Sequence, residues 1–137
     1  MAIYHLEAKM VSRGAGRSAV AAAAYLSCSR MLNEYDGVQH DYTRKQGLGW
    51  RQVFLPATAP AEWQDREILW NAVEETETAK DSRLAREFVA ALPIELSREE
   101  QIQLLQDFIH KSIFFLPKHL HDLEFCFCQF FLFIHTK

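Results

Sequence analysis

The sequence predicts an α+β domain over residues 1–110, followed by a stretch of different character. Three observations lead there. Segments with a two-residue apolar period alternate three times with segments of helical period. Capping and turn signals fall between them, at Ser18, Pro56, Pro60, Pro93 and Ser97. After about Ile109 the pattern ends, and the remaining residues hold seven of the ten phenylalanines.

Residues 2–10, with Ile3, Tyr4 and His5, alternate roughly and read as the first strand. Val11 to Arg17 contains Gly14 and Gly16 and reads as a flexible loop. Ser18 is placed to cap a helix running from Ala19 to about Cys28, where four successive alanines, Ala21 to Ala24, give high helix propensity and almost no side-chain bulk. Residues 33–49 are polar and irregular, with turn signals at Asp36-Gly37 and Gly47-Leu48-Gly49. Trp50 to Leu55 alternates and closes at Pro56, the pattern of a strand ended by proline. Pro60 opens a helix over about 61–80, with Trp63, Ile68, Leu69, Ala72 and Val73 on its apolar side. Arg86 to Leu92 is the third strand, bounded by Pro93. Ser97-Arg98-Glu99-Glu100 is a capping box that starts a helix in which Ile102, Leu105 and Ile109 recur at helical spacing. The Phe-rich end has high β-propensity and little charge, an aggregation risk unless it is buried.

The chain of 137 residues has a net charge of -3, so it is no polycation. Residues 1–51 carry +3 and residues 52–137 carry -6. The basic first third could meet nucleic acid, while the acidic remainder reads as solvated helix surface. Three cysteines, Cys28, Cys126 and Cys128, argue against a disulfide framework and fit a reducing cytoplasm. Cys126 and Cys128 stand too close together for a paired zinc knuckle and read as strand filler. The start of the chain lacks a basic region followed by an apolar core, so no secretory signal is expected. The apolar run from Leu123 to Ile134 is interrupted and too short for a membrane-spanning helix. A cytoplasmic location without a membrane partner is the expectation.

Tyr25 is the residue with chemical interest. It stands one helical turn from Ala21, Ala22, Cys28 and Ser29, small neighbours that let another chain come close. Arg13, Gly14, Gly16, Arg17 and Ser18 precede it, and Arg30 follows. Flexible backbone N–H groups, a helix N-terminus and flanking guanidinium groups are what phosphate binding uses. A tyrosine hydroxyl attacks a phosphodiester once its proton is removed and the phosphate is polarised. The commoner role of a tyrosine on an alanine-rich helix is packing, so these residues alone leave both roles open.

The run Met1-Ala2-Ile3-Tyr4-His5-Leu6-Glu7-Ala8-Lys9, followed by Ser12-Arg13-Gly14-Ala15-Gly16-Arg17-Ser18 and Ala19 to Tyr25, closely resembles the start of the MobA/MobL family of relaxases of mobilisable plasmids. The resemblance continues through Tyr35-Asp36-Gly37, His40-Asp41-Tyr42-Thr43, Leu55-Pro56, Trp70-Asn71-Ala72-Val73-Glu74, Arg83 to Phe88 and Ala91 to Leu96, and spans about residues 1–109. It implies an antiparallel sheet with helices on one side, of HUH-like relaxase type. It implies site- and strand-specific nicking of DNA at an origin of transfer, with the residue matching Tyr25 becoming linked to the 5′-phosphate and a second transesterification rejoining the strand. The implied partners are single-stranded or hairpin DNA and accessory mobilisation proteins. A divalent ion, Mg²⁺ or Mn²⁺, held by histidines would polarise the scissile phosphate. Glu87 matches an acidic strand residue near the site and could orient a metal-ligand histidine or the ion itself. A solvated or cross-strand-paired glutamate is the plainer role.

Beyond Ile109 the sequence departs from the family, which continues into a strand with an isolated His and then a His-x-His segment. His119-Leu120-His121 follows His110 at the wrong spacing and without the Asn-Pro lead-in, and reads as a chance echo. The expectation is therefore a truncated relaxase domain over residues 1–110, an unrelated Phe-rich tail over 111–137, no assigned metal ligand, and little or no cleavage. The alternatives are a DNA-binding fragment that does not cut and a non-functional truncated product.

Overall fold

The computed structural model describes residues 6–55, 57–112 and 130–133. Residues 2–5 of the strand expected over 2–10, Pro56, and most of the Phe-rich stretch with His119 and His121 lie outside the described residues. The order of elements is β1 (Leu6–Ser12), α1 (Ala19–Ser27), β2 (Arg30–Asn33), β3 (Val38–Asp41), β4 (Leu48–Gln52), α2 (Arg66–Thr76), β5 (Arg83–Ala90), α3 (Arg98–Ser112) and β6 (Phe130–Phe133). Short 3-10 turns stand at Arg13–Ala15 and Ala61–Gln64. The fold is α+β, as expected. Its described strands pair as β1 with β5, β2 with β3 and β4 with β6. The last two pairs are antiparallel, with Met31 opposite His40 and Arg51 opposite Phe131.

The chain's contacts gather into two units. The larger runs from Lys9 to Glu87 and includes β6. Its core is Val11, Ala19, Val20, Ala23, Ala24, Met31, Trp70, Leu84 and Ala85. Four of these nine belong to α1, three of them alanines, because a helix with so little bulk can lie directly against α2 and β2. In the smaller unit, α3 begins at the expected capping box. Ser97 N donates to Glu100 Oε2 at 2.8 Å and Glu100 N to Ser97 Oγ at 3.3 Å. Ile109 is fully buried, while Ile102 and Leu105 are half-buried.

Two expectations need correction. Residues 33–49 are not irregular throughout: β2 and β3 form a hairpin around the turn Glu34–Gly37, with Gly37 at φ 71°. The helix expected over 61–80 is a 3-10 turn followed by α2, because Asp65 makes the cap. Its side chain accepts from Glu67 N at 2.8 Å and Ile68 N at 3.5 Å. Within α2, Leu69, Trp70 and Glu74 are buried and Ile68 is 45% exposed.

Candidate nucleic-acid interface

Helix α1 presents Tyr25 on its exposed side. Ser18 caps its start, accepting from Ala21 N at 3.2 Å, and Cys28 ends it in the left-handed conformation, φ 50°. Tyr25 is 49% exposed, although most of its helix is core. Two residues that sequence reasoning did not single out meet it. The Tyr42 ring stands edge-on at 5.3 Å. The Lys45 ammonium lies over the Tyr25 ring, 3.6 Å from its centroid, and donates to Tyr25 O at 3.1 Å. An aromatic edge and a cation thus bracket the phenol. Among the described residues no hydrogen bond engages its hydroxyl. Nothing near Tyr25 in sequence marks Lys45, which is 20 residues away.

The loop before α1 is arranged differently from the open phosphate cradle the sequence suggested. Its backbone amides turn inward: Arg13 N bonds Ser82 O, Gly16 N bonds Arg13 O, and Arg17 N bonds Ser12 O. Gly14 is there for closeness, since a Cβ would stand 3.3 Å from Asp81 Cα. Gly16 is there for its φ of 74°. The N-terminus of α1 already has its anion, the buried carboxylate of Glu74. That group accepts from Ala19 N at 2.7 Å, Ser18 Oγ at 3.0 Å and Arg13 Nη2 at 2.8 Å.

Arg13 therefore points into the protein. Besides Glu74, its guanidinium donates to the carbonyls of Glu77, Ala79 and Glu74, and it stacks on Tyr35 at 4.3 Å. Only 11% of its side chain is exposed. Asn33, also buried, completes the cluster by donating to Ser18 Oγ at 3.1 Å. Arg13, Ser18, Asn33 and Glu74 line a small cavity of about 180 Å³ together with Gly16 and Arg17.

Arg17 stays at the surface, donating to Met10 O at 3.2 Å and to Glu87 Oε2 at 3.4 Å. Its side chain is 40% exposed and that of Glu87 16%. The structure thus joins Glu87 to Arg17 from β5. Arg30 is exposed at the start of β2. Of the predicted loop and arginine residues, Arg13 and Ser18 build the α1 start from within, and Gly14, Gly16, Arg17 and Arg30 are exposed.

Among the described residues no three His, Cys, Asp or Glu side chains come together to hold a metal ion. Among the same residues no helix is long and apolar enough to cross a membrane.

Comparison with known proteins agrees with this architecture. The model of the MobA/MobL family matches residues 17–115. A conjugal transfer protein TraA of Rhizobium radiobacter is 46% identical over 82% of this chain and 11% of its own length. A probable mobilization protein MobA of Bifidobacterium longum is 39% identical over 82% of this chain and 20% of its own. A mobilization protein MobL of Acidithiobacillus ferridurans is 46% identical over 74% of this chain and 26% of its own. The chain thus spans about a tenth to a quarter of the length of these relatives. A solved structure described as "Molecular Basis of Vancomycin Resistance Transfer in Staphylococcus aureus" superposes with a TM-score of 0.75 and 36% identity, over 80% of this chain and 56% of that one.

Proposed function

The chain belongs to the MobA/MobL family, and from that premise we propose that it carries the nucleophile segment of a DNA relaxase acting in conjugation and plasmid mobilisation. The observation that supports this most is the exposed Tyr25 phenol, set among small residues and bracketed by Tyr42 and Lys45. In the proposed step Tyr25 Oη attacks the phosphorus of a phosphodiester. The Oη–P bond forms, the P–O3′ bond breaks, and the phenol proton ends on the departing 3′-hydroxyl, leaving the 5′-phosphate on the tyrosine. Rejoining is the same exchange in reverse.

The chain's own residues supply position and charge. Ser18, Glu74 and the core face of α1 fix the helix. Lys45 brings a cation to the phenol, and Arg17 and Arg30 offer guanidinium groups to the strand. Glu87 has a positioning role in this scheme, holding Arg17. The DNA would be single-stranded or a hairpin at an origin of transfer, with accessory mobilisation proteins beside it, in the cytoplasm. A divalent ion, Mg²⁺ or Mn²⁺, is part of the proposal as the group that polarises the scissile phosphate. The described residues do not by themselves form its cage. The exposed Arg17 and Arg30 also suit a second reading, a protein that binds the strand without cutting it.

The test is an oligonucleotide-nicking assay with Mg²⁺ or Mn²⁺. A covalent protein–DNA adduct that Tyr25→Phe abolishes supports strand transfer. An adduct that survives in Tyr25→Phe refutes the assignment of the nucleophile. Salt-dependent DNA binding with no adduct supports the second reading.

A further inference from the structure

The last turn of α1 is held by a short loop that follows β3. Cys28 leaves the helix in the left-handed conformation, and Ser29 O then accepts from Tyr42 N at 3.1 Å, tying the end of the helix to the end of β3. From there the chain turns tightly, with Lys45 N donating to Tyr42 O at 3.0 Å. Asp41 fixes the start of this turn: its Oδ1 accepts from Thr43 N at 3.0 Å and from Thr43 Oγ1 at 2.7 Å. A short side chain here takes the place of a backbone partner. The bonds from Thr43, side chain first and backbone second, hold the Asp41 carboxyl below the usual carboxylate range.

The turn delivers two groups to one side chain. The Tyr42 ring stands at 89° to that of Tyr25, with centroids 5.3 Å apart. The Lys45 ammonium sits 3.6 Å from the Tyr25 centroid and also donates to Tyr25 O at 3.1 Å. That carbonyl belongs to the last turn of α1, where the negative end of the helix dipole favours a cation. One ammonium thus holds both the backbone and the ring of the same residue. Tyr25 is half exposed, and its small neighbours pack little against it. A side chain so placed turns among its staggered rotamers unless something holds it.

We propose that the Asp41–Lys45 turn is a clamp that holds the Tyr25 phenol in one direction for attack, with Lys45 as the positioning residue and Tyr42 as its aromatic stop. The ammonium covers one face of the Tyr25 ring, and the Tyr42 contact limits its swing. A cation over a ring face and an edge-to-face ring pair both depend on orientation, so together they favour one rotamer over the others. Attack at phosphorus needs the nucleophile about 3–3.5 Å away and in line. A phenol held in advance gives up less freedom on reaching that geometry. The use of the clamp in attack rests on the reading of Tyr25 as the nucleophile; the clamp itself does not.

The experiment joins NMR to nicking rates on the full chain. The NOE between the Tyr25 and Tyr42 rings reads the direction of the phenol. The single-turnover nicking rate at saturating single-stranded oligonucleotide, with Mg²⁺ or Mn²⁺, reads its consequence. The variants are Lys45→Met, Lys45→Arg, Asp41→Ala and, as a charge control in the same turn, Arg44→Gln. Lys45→Met should weaken the NOE severalfold and slow nicking about three- to tenfold, with oligonucleotide affinity changed less. Lys45→Arg keeps a cation and should restore both readouts. Arg44→Gln should leave both as they are. Asp41 acts through Thr43 rather than on the phenol, so Asp41→Ala should weaken the NOE by slackening the turn, and it carries the test if Lys45→Met fails to fold. An NOE as strong in Lys45→Met and Asp41→Ala as in the unaltered chain overturns the proposal. So does a lost NOE with an unchanged nicking rate, or a rate that Lys45→Arg leaves low while the rings stay in contact. An unaltered chain that forms no adduct removes the nucleophile reading, and the clamp then stands or falls on the NOE alone.

Discussion

Replacing Glu74 by alanine should be the most damaging single change in the larger unit. The carboxylate is 3% exposed and receives three donors, from Ala19 N, Ser18 Oγ and Arg13 Nη2. Glu74→Ala strips a buried guanidinium of its counter-charge, and breaking such a pair costs about 3–5 kcal/mol. It also orphans a helix-start amide, about 1–3 kcal/mol when nothing replaces the acceptor. Three carbonyls still hold Arg13, and they keep the sum near the lower figures, about 3–5 kcal/mol in all. Set against a typical domain stability of about 5–15 kcal/mol, that is about a fifth of the whole at the least. The melting temperature should fall by roughly 10–20 °C. Denaturant titration followed by circular dichroism measures the loss. A double-mutant cycle with Arg13→Ala separates the pair from its surroundings. The reasoning is refuted if Glu74→Ala costs less than about 1 kcal/mol, or if the two losses add within about 0.5 kcal/mol in the double mutant.

The remaining predictions concern the helix ends. Cys28 holds a left-handed conformation, φ 50°, that costs a residue with a Cβ roughly 1–2 kcal/mol; Cys28→Gly should raise the melting temperature by a few degrees, and a fall would show that the thiol's packing matters more. Glu100 is held below the usual glutamate range by its bonds from Ser97, first the backbone and then the side chain. A depressed value means that its contribution to α3 is present above the ordinary glutamate pKa and fades as pH drops through the lowered one. A carboxyl NMR titration should therefore show Glu100 with a low midpoint that Ser97→Ala moves only part of the way up, because the backbone bond remains; a midpoint in the normal range before any substitution contradicts the capping box.

Local signals were legible in the sequence and distant ones were not. The α1 helix, its Ser18 cap and the Ser97–Glu100 box each depend on residues within four positions of one another, and each forms where expected. The β2–β3 hairpin escaped because Val38–Asp41 is mostly exposed on both faces and shows no apolar alternation. The start of α2 was misplaced because Pro60 and Asp65 are both good starting residues, and the aspartate won with two amide bonds. At the candidate site, Tyr25 could be picked out with its small neighbours. The direction of Arg13 could not, because it is decided by Glu74, 61 residues away. The same holds for Lys45 over Tyr25.

Helix α1 is nine residues long, and isolated helices shorter than about 12–15 residues scarcely persist in water. Its existence is therefore borrowed from Glu74 and from the packing of α2. The Tyr25 phenol has no defined direction in a partly unfolded chain and acquires one only when the larger unit closes. Any chemistry at that residue is tied to the same cooperative transition that sets stability. Nicking, if heated or titrated with denaturant alongside circular dichroism, should disappear on the folding curve itself, with no window in which a loosened protein still cuts.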